Sequence, residues 1–415
     1  MNDLLVQPIG LLATCAGEGD ATARLGLVPD AAVLIREGRV VHAGPAAALP
    51  EVPLGIERVS ARDRLVTPGF IDAHTHLVFA GERSNEFALR NAGATYLEIA
   101  RAGGGIAATV RATRAASEDD LVAQSRPRLR RLLAQGVTTA EVKSGYGLAL
   151  EPELKMLRAI ARLDRAQPIA LVATLLAAHA VPPELRDDRE RYVRDCIDAL
   201  IPAVAQAHLA RFCDAFVEQG AFTADEARRI LGAAARAGLV PRLHVDQLSA
   251  GGGAELAAEL GAATADHLEE VSPAGIAALA RAQVTAVLVP ASTWFLRQPR
   301  YAPGRALADA GVTLALGTNV NPGSAMSESY ALTLTLACLG CGLTPTEALL
   351  AATVGGARAL RLDDRGRLAP GLRGDLVVHA CRTVDHLPYH AALSHAETVA
   401  IGGQVAHAQP LPLCD

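Results

Sequence analysis

The chain has 415 residues, of which 50% are hydrophobic, and its formal net charge at pH 7 is -5. A chain of this length buries a large core and has room for more than one domain. The mild charge, with no basic stripe and no long run of like charges, argues against a nucleic-acid partner. Because no apolar stretch reaches the length of a membrane span and no signal peptide is apparent, we expect a cytoplasmic protein without a membrane partner.

Cysteine usage does not indicate a disulfide framework. The chain has 7 cysteines, an odd number scattered from Cys15 to Cys414. Cys338 and Cys341 have a spacing that redox and zinc sites use, but they lie in an alanine- and leucine-rich helical segment without a second pair. We therefore predict buried free thiols at both positions.

The two ends of the chain have the pattern of short strands and turns. Residues 31–44 contain two β-rich runs around a Glu-Gly turn, which predicts a hairpin. Residues 374–378 and 398–405 are short β segments of the same kind. We predict that residues 1–64 and 366–415 together form one small β-sandwich domain, with the rest of the chain inserted between them.

Residues 65–365 alternate strand-like and helix-like segments. Amphipathic helical stretches such as residues 224–237 and 273–281 lie between most of the apolar runs. This alternation predicts an α/β fold, a TIM-like (β/α)8 barrel of parallel strands. The rival fold, a doubly wound open sheet, lacks its Gly-x-Gly-x-x-Gly motif after the first strand. The predicted strands are residues 66–71, 137–142, 169–176, 212–217, 239–245, 263–266, 284–289 and 312–316.

Polar and ionisable residues follow the apolar runs where the predicted strands end. His74 and His76 follow the first run, and because alternate side chains of a strand share a face, both imidazoles can bind one metal ion. A single histidine is more often a structural residue than a ligand. Several histidines at strand ends that meet at one barrel mouth instead favour a metal-dependent hydrolase. The residues at these strand ends are His74, His76, Lys143, His179, Glu218, His244, His267 and Asn319.

Several segments resemble a known superfamily. Residues 68–76 are similar to the entry motif of the amidohydrolase superfamily, and residues 366–377 to its return into the β domain. The Lys-Ser-Gly-Tyr-Gly motif of residues 143–147 and the Asn-Pro-Gly-Ser motif of residues 321–324 resemble the imidazolonepropionase family in particular. Further similar segments are residues 81–87, 103–106, 109–114, 138–142, 178–184, 244–247 and 265–268.

The resemblance implies a metal centre. His74, His76 and His244 would bind one Zn2+ or Fe ion per chain, with Asn319 at the position of the fourth ligand. His267 would lie over the reacting carbonyl.

The resemblance also implies a substrate pocket. Arg83, Tyr146 and His179 would hold the substrate, and Arg83 suits its propionate group because a guanidinium binds a carboxylate in a bidentate manner. Gln247, which stands where some relatives carry Glu, would hydrogen-bond a ring nitrogen or a water molecule. The far wall would be lined by Asn321, Gly323 and Ser324.

The implied activity is the hydrolytic ring opening of 4-imidazolone-5-propanoate to N-formimino-L-glutamate in histidine degradation, by a metal-activated water. The expected partners are this small carboxylate-bearing substrate and a second copy of the chain in a homodimer. A carboxylated lysine bridging two metals occurs in related enzymes after strand four, but here Lys143 follows strand two. We therefore expect one metal in preference to a pair bridged by Glu218.

Asn319 departs from the family pattern, which has Asp there as metal ligand and proton shuttle. An amide oxygen coordinates a metal weakly and accepts no proton, and loss of a general base typically removes about 10^2 to 10^4 of the rate. Three hypotheses remain open: an introduced change that traps ligand, a variant in which His267 supplies the base, or a catalytically silent ligand-binding homologue. Another mononuclear amidohydrolase, such as a heterocyclic amine deaminase, is the alternative enzyme, although Gln247 occupies the place where deaminases need a carboxylate.

Overall fold

Two sheets organise the fold in the computed structural model, which describes residues 2–93, 98 and 103–414. One sheet, here called the terminal sheet, contains the strands from the two ends of the chain, and the other is a parallel barrel. The strands are β1 Leu4–Ala13, β2 Leu27–Arg36, β3 Arg39–Pro45, β4 Glu57–Val59, β5 Leu65–Pro68, β6 Phe70–Asp72, β7 Val137–Lys143, β8 Ala170–Ala178, β9 Phe212–Val217, β10 Val240–Val245, β11 Thr264–His267, β12 Thr285–Leu288, β13 Leu314–Leu316, β14 Leu376–His379, β15 Ala396–Ile401 and β16 Gln404–Ala408.

Helices connect the strands of the barrel. Two of the longer ones, Glu118–Leu133 and Ala224–Arg236, begin with capping boxes, at Ser117 and Thr223 respectively, that satisfy their first backbone N–H groups. None of the helices in the described part of the chain is long and apolar enough to cross a membrane. The remaining helices are Ala21–Arg24, Ser84–Asn91, Ile106–Ala115, Leu150–Ala166, Arg189–Asp195, Ile201–Gln206, Gly253–Glu259, Pro273–Ala282, Pro290–Leu296, Gly304–Asp309, Tyr330–Leu339, Pro345–Leu350, Gly356–Ala359 and His386–Tyr389, with 3-10 turns at Ala46–Ala48 and Pro183–Leu185 and π-helical turns at Cys196–Leu200 and Ala351–Gly355.

The terminal sheet combines the two ends of the chain in the strand order β16-β15-β14-β5-β1-β2-β3, with β4 beside β1. β2 and β3 form the predicted hairpin, and its turn residues Glu37 and Gly38 have φ values of 50° and 76°. Positive φ at both central residues is the geometry that joins two twisted antiparallel strands. The sheet buries a hydrophobic cluster of its own, to which strands from both ends of the chain contribute.

The barrel has eight parallel strands, β6 to β13, paired in sequence order. This confirms the predicted fold class. No ladder joins β13 to β6 in the described residues; instead Ala73 N donates to Leu316 O (3.0 Å) and Asn319 N donates to His74 O (2.9 Å). The barrel is therefore nearly closed at the place where the first histidines follow β6.

The predicted strand 66–71 is two strands that belong to different sheets. β5 pairs with β1 and β14 in the terminal sheet, whereas β6 pairs with β7 in the barrel. Gly69 separates them, and a Cβ atom at this position would lie 2.2 Å from Thr138 Oγ1 on β7. The chain thus passes from the terminal sheet into the barrel in one step, and residues 65–68 belong to the terminal sheet.

All 7 cysteines are free, and Cys341 is buried whereas Cys338 is half-buried. No disulfide framework supports the fold.

Candidate metal centre

Three histidines converge at the mouth of the barrel, where parallel strands end. His74 and His76 follow β6, and His244 lies on β10. His76 Nε2 lies 3.2 Å from His74 Nε2 and 3.3 Å from His244 Nε2. All three side chains are buried, and burial lowers their pKa values well below the ordinary range, so the imidazoles are neutral at pH 7.

The spacing of these nitrogens fits a metal ion. Zinc–nitrogen bonds of about 2.0–2.1 Å in tetrahedral geometry place neighbouring ligand nitrogens about 3.3–3.4 Å apart. The observed Nε2 separations of 3.2 and 3.3 Å match that value. Neutral imidazoles with lone pairs directed at one point are the form of histidine that binds zinc or iron.

Two aspartates fix the orientation of the ligand imidazoles. His74 Nδ1 donates to Asp266 Oδ2 (2.6 Å), and His244 Nδ1 donates to Asp214 Oδ1 (3.0 Å). A proton held on Nδ1 leaves the Nε2 lone pair free for a metal. The carboxylates therefore select the tautomer that a metal centre requires.

A buried ion network supports these aspartates from below. Lys143 Nζ donates to Glu141 Oε1 and Asp214 Oδ2, both at 2.8 Å, and Arg242 Nη2 donates to Asp266 Oδ2 at 2.9 Å. Burial acts to raise the pKa of Asp266, but Arg242 and Lys143 hold it down at about 2. Burial and Arg242 oppose the charge on Lys143, yet its carboxylate partners raise its pKa above the ordinary value. The two cations thus keep Asp266 ionised beneath the histidines, whereas burial raises the pKa of Asp214 above its ordinary value although Lys143 opposes the shift.

Glu218 and Lys143, the two side chains considered for a metal pair, are engaged in other contacts. Glu218 accepts hydrogen bonds from Leu248 N (2.8 Å), Gln219 N (2.9 Å) and Ser249 Oγ, so its carboxylate secures the loop after β10. The ammonium group of Lys143 is engaged in ion pairs. Among the described residues, the potential ligand group at the barrel mouth comprises His74, His76 and His244, without Glu218.

The segment after β13 brings position 319 to the same place. Asp72 accepts hydrogen bonds from Thr318 N (3.0 Å) and Thr318 Oγ1 (2.7 Å), which fixes the segment against the end of β6. Asn319 has a φ of 54°, a left-handed conformation that asparagine tolerates better than most residues. Its side chain faces the cavity that His76 and His244 also line.

The cavity beside the histidines contains most of the predicted site residues. The ring of His267 lies 5.4 Å from that of His244, and its Nδ1 lies 3.5 Å from Glu269 Oε1. His179 Nδ1 donates to Gly145 O (3.0 Å), and burial lowers the pKa of His179 to about 4, so its Nε2 is a free acceptor. The cavity is lined by His76, Tyr146, His179, Phe216, His244, Gln247, His267, Asn319, Asn321 and Ser324.

His74, Arg83 and Gly323 are outside that lining. His74 lies deeper, behind His76, and Arg83 lies against the loop of residues 321–324. A Cβ atom at Gly323 would lie 2.3 Å from Arg83 Nη1, so a side chain at this position would displace the guanidinium group. The structure therefore brings Arg83 to the wall formed by the predicted Asn-Pro-Gly-Ser motif.

Several residues of the site, most of them buried, were not predicted from the sequence. Glu153 accepts hydrogen bonds from Gly145 N (3.0 Å), Gly147 N (2.7 Å) and Leu148 N (2.8 Å), and so shapes the loop that carries Tyr146. A signal for some of them was present, because a charged residue inside an apolar strand must find a buried partner. The missed residues are Glu86, Glu141, Glu153, Asp214, Phe216, Arg242, Asp266 and Glu269.

The fold and this centre together define the class of protein. A nearly closed parallel barrel, a terminal sheet and three convergent histidines at the strand ends are the features of a metal-dependent amidohydrolase. Residues 65–406 match the amidohydrolase family.

Relatives along the whole chain narrow this class. The chain is 60% identical to the imidazolonepropionase of Myxococcus xanthus over 99% of both chains, and 45% identical to that of Geobacillus kaustophilus over 98% of both. It therefore belongs to the amidohydrolase family and, within it, to the imidazolonepropionases. The solved structure of 5-methylcytosine deaminase from Klebsiella pneumoniae matches 99% of both chains with a TM-score of 0.74 at 16% identity, which shows a shared fold.

Proposed function

We propose that this chain hydrolyses 4-imidazolone-5-propanoate to N-formimino-L-glutamate in histidine degradation, with one Zn2+ or Fe ion held by His74, His76, His244 and Asn319. The convergence of the three Nε2 atoms beside position 319 carries the proposal. The relatives named imidazolonepropionase support the choice of reaction. A homodimer in the cytoplasm is part of the same proposal, on family resemblance alone.

The residues of the cavity have separate tasks in this reaction. A metal bound there lowers the pKa of a water molecule and polarises the carbonyl group of the cyclic amide. His267 contacts the carbonyl, with its Nδ1 3.5 Å from Glu269 Oε1. Gln247 hydrogen-bonds the ring nitrogen or the attacking water, and as a neutral amide it takes up no proton.

The propionate end of the substrate lies toward Arg83. Nη1 of Arg83 lies beside Gly323, while Nε and Nη2 of the same guanidinium group donate to Glu86. The rings of Tyr146 and His179 lie 5.4 Å apart, and they lie 6.1 and 5.2 Å, respectively, from the ring of His76. A substrate that carries its own carboxylate therefore spans from the metal centre to Arg83.

The test compares hydrolysis of 4-imidazolone-5-propanoate by the chain and by Asn319→Asp, each loaded with a measured amount of metal. Aspartate adds a base at position 319, so we expect kcat to rise by about 10^2 to 10^4. Equal and fast rates would show that the proton passes through another group, and His267→Ala would then abolish turnover.

Two further outcomes separate the alternatives. If neither protein hydrolyses the substrate but both deaminate a heterocyclic amine, the reaction assignment is wrong. Tight binding of the substrate by both proteins without any product would identify a ligand-binding homologue. Neither outcome would alter the metal-binding assignment, which metal analysis of His76→Ala tests separately.

A further inference from the structure

A second group of potential metal ligands lies in the segments that flank β14, β15 and β16 of the terminal sheet, away from the barrel mouth. The ligand atoms of His390, His395 and Cys414 all lie within 4.8 Å of one another. His390 is exposed, Cys414 is half-buried and His395 is buried. The group has no part in the reaction proposed above, so a metal site here can be tested independently of that function.

His395 has a buried ring nitrogen that is available to bind a metal ion. Its relative exposure is 4%, and its Nε2 has no hydrogen-bond partner among the described residues. The imidazole also hydrogen-bonds the backbone of His386, which leaves Nδ1 as the bonded nitrogen. A proton on Nδ1 held by a backbone carbonyl fixes the tautomer whose Nε2 lone pair is free, as in metal sites. A buried nitrogen without a partner otherwise costs stability.

Backbone hydrogen bonds hold two of the three ligands in place. Ala380 N donates to His395 O (2.7 Å), and Cys414 N donates to Ala380 O (2.8 Å). His395 and Cys414 therefore flank the end of β14 at fixed positions. The His390 side chain is exposed, and the ring centroids of His390 and His395 are 5.4 Å apart.

We propose that His390, His395 and Cys414 bind one late first-row divalent cation, with Zn2+ as the natural occupant and the fourth position open to water. One thiolate and two imidazoles form a ligand set that suits zinc and cobalt. Bond lengths to zinc place such ligands roughly 3.3–3.6 Å apart, so a rotation of His390 closes the site. The bound cation would fasten the segment of residues 409–414 to the loop that precedes β15.

The experiment uses the full chain, freed of metal and kept reduced, and titrates it with Co2+ while its absorption is recorded. A cysteine thiolate bound to Co2+ gives an intense charge-transfer band in the near ultraviolet. The barrel centre offers three imidazoles and one amide, so cobalt bound there gives no such band. We expect the band in the unchanged chain and its loss in Cys414→Ser. His390→Ala should weaken cobalt binding at this site by about tenfold or more, at least the cost of losing an outer-shell partner.

Cys338→Ser is the matched control, because Cys338 is also partly accessible and lies outside the ligand group. This variant should keep the full band. Absence of the band in the unchanged chain at excess Co2+, or its persistence in Cys414→Ser, would overturn the proposal. Total metal content cannot replace the spectrum, because the barrel centre also takes up metal.

Discussion

Arg83 is held by a single carboxylate oxygen. Its Nε and Nη2 donate to Glu86 Oε2 at 2.9 and 2.7 Å, and the other carboxylate oxygen of Glu86 accepts from Gly105 N at 3.0 Å. Glu86 is buried despite its charge. It therefore ties the arginine to the glycine turn at residues 103–105 and leaves Nη1 free for a ligand.

Glu86→Gln tests this positioning role. A neutral amide loses the charge-assisted bonds, so Arg83 gains freedom and holds the propionate group less well. We expect KM for 4-imidazolone-5-propanoate to rise about tenfold while kcat changes little. This result is expected when the lost interaction is equally strong in the bound substrate and in the transition state. Glu82→Gln is the control, since Glu82 is exposed and accepts a hydrogen bond from Ser84 N at the start of the same helix. An unchanged KM in Glu86→Gln would contradict the role.

The sequence revealed the ligands of the site better than their supports. His74 and His76 were identified because two-residue spacing on a strand has a direct meaning for metal binding. Glu86 and Glu153 were not, because their role depends on backbone N–H groups of distant loops that only the fold brings to them. The same holds for the proximity of Arg83 and Gly323.

At the scale of elements, β10 carries both a metal ligand and its support. Arg242 and His244 are two residues apart on this strand, so their side chains share the inner face of the barrel. Arg242 is fully buried and pairs with Asp266 on β11, which in turn orients His74. Through Asp266, the buried charge of Arg242 therefore contributes to the orientation of the metal ligand His74.

Arg242→Met should destabilise the protein by about 3–5 kcal/mol, because removing one partner leaves a buried carboxylate uncompensated. Urea denaturation measures the change in the free energy of unfolding. Arg228→Met is the matched control, since Arg228 forms its ion pair with Glu259 in solvent and should leave stability nearly unchanged. Equal losses in the free energy of unfolding for the two substitutions would show that the buried ion network contributes no more stability than a surface ion pair.

Gly317 closes the barrel against the first histidine. A Cβ atom there would lie 2.6 Å from His74 Cβ and 2.9 Å from His74 N. Gly317→Ala should therefore destabilise the protein by about 1–3 kcal/mol through overpacking and lower its metal affinity. Gly232→Ala, within the helix Ala224–Arg236, should instead raise stability by up to about 1 kcal/mol. Thermal unfolding together with metal analysis distinguishes the two, and unchanged metal affinity in Gly317→Ala would contradict the proposed link to His74.

Most strands of the barrel were predictable because they lie in segments that are largely apolar and are bounded by polar residues and turns. The break inside residues 66–71 was not, because an apolar run looks the same whether it serves one sheet or two. The reason for the break is tertiary, since Gly69 is required by contact with Thr138 on the neighbouring strand.

At the scale of the whole molecule, β5 and β14 join the terminal sheet to the barrel. Leu376 and Val378 of β14 pair with β5. After β5 ends at Pro68, the chain enters the barrel at Phe70, the first residue of β6. The ring of Phe70 lies 5.5 Å from that of His379 on β14. His379 therefore stands where the two sheets meet.

The hydrogen bonds of His379 make this junction sensitive to acid. Thr67 Oγ1 donates to Pro68 O (2.9 Å) and lies 2.8 Å from His379 Nε2, so His379 Nε2 is the donor of that second bond. His379 Nδ1 is buried and has no partner among the described residues. Protonation at Nδ1 would bury a charge without an acceptor, and burial, with a smaller effect of His395, lowers the pKa of His379 to about 3.

We expect this depressed pKa to make part of the folding stability depend on pH. The unfolded histidine takes up a proton below about 6.5 whereas the folded one stays neutral down to about 3, so the unfolded state binds more protons across that window. Stability is then complete above pH 6.5 and falls as the pH falls, by about 2 kcal/mol at pH 5. Urea denaturation across this pH range at fixed metal content should show a shallower dependence in His379→Asn than in the unchanged chain. His208→Asn, at an exposed left-handed position, should keep the original slope; identical slopes in all three proteins would show that His379 does not govern the acid response.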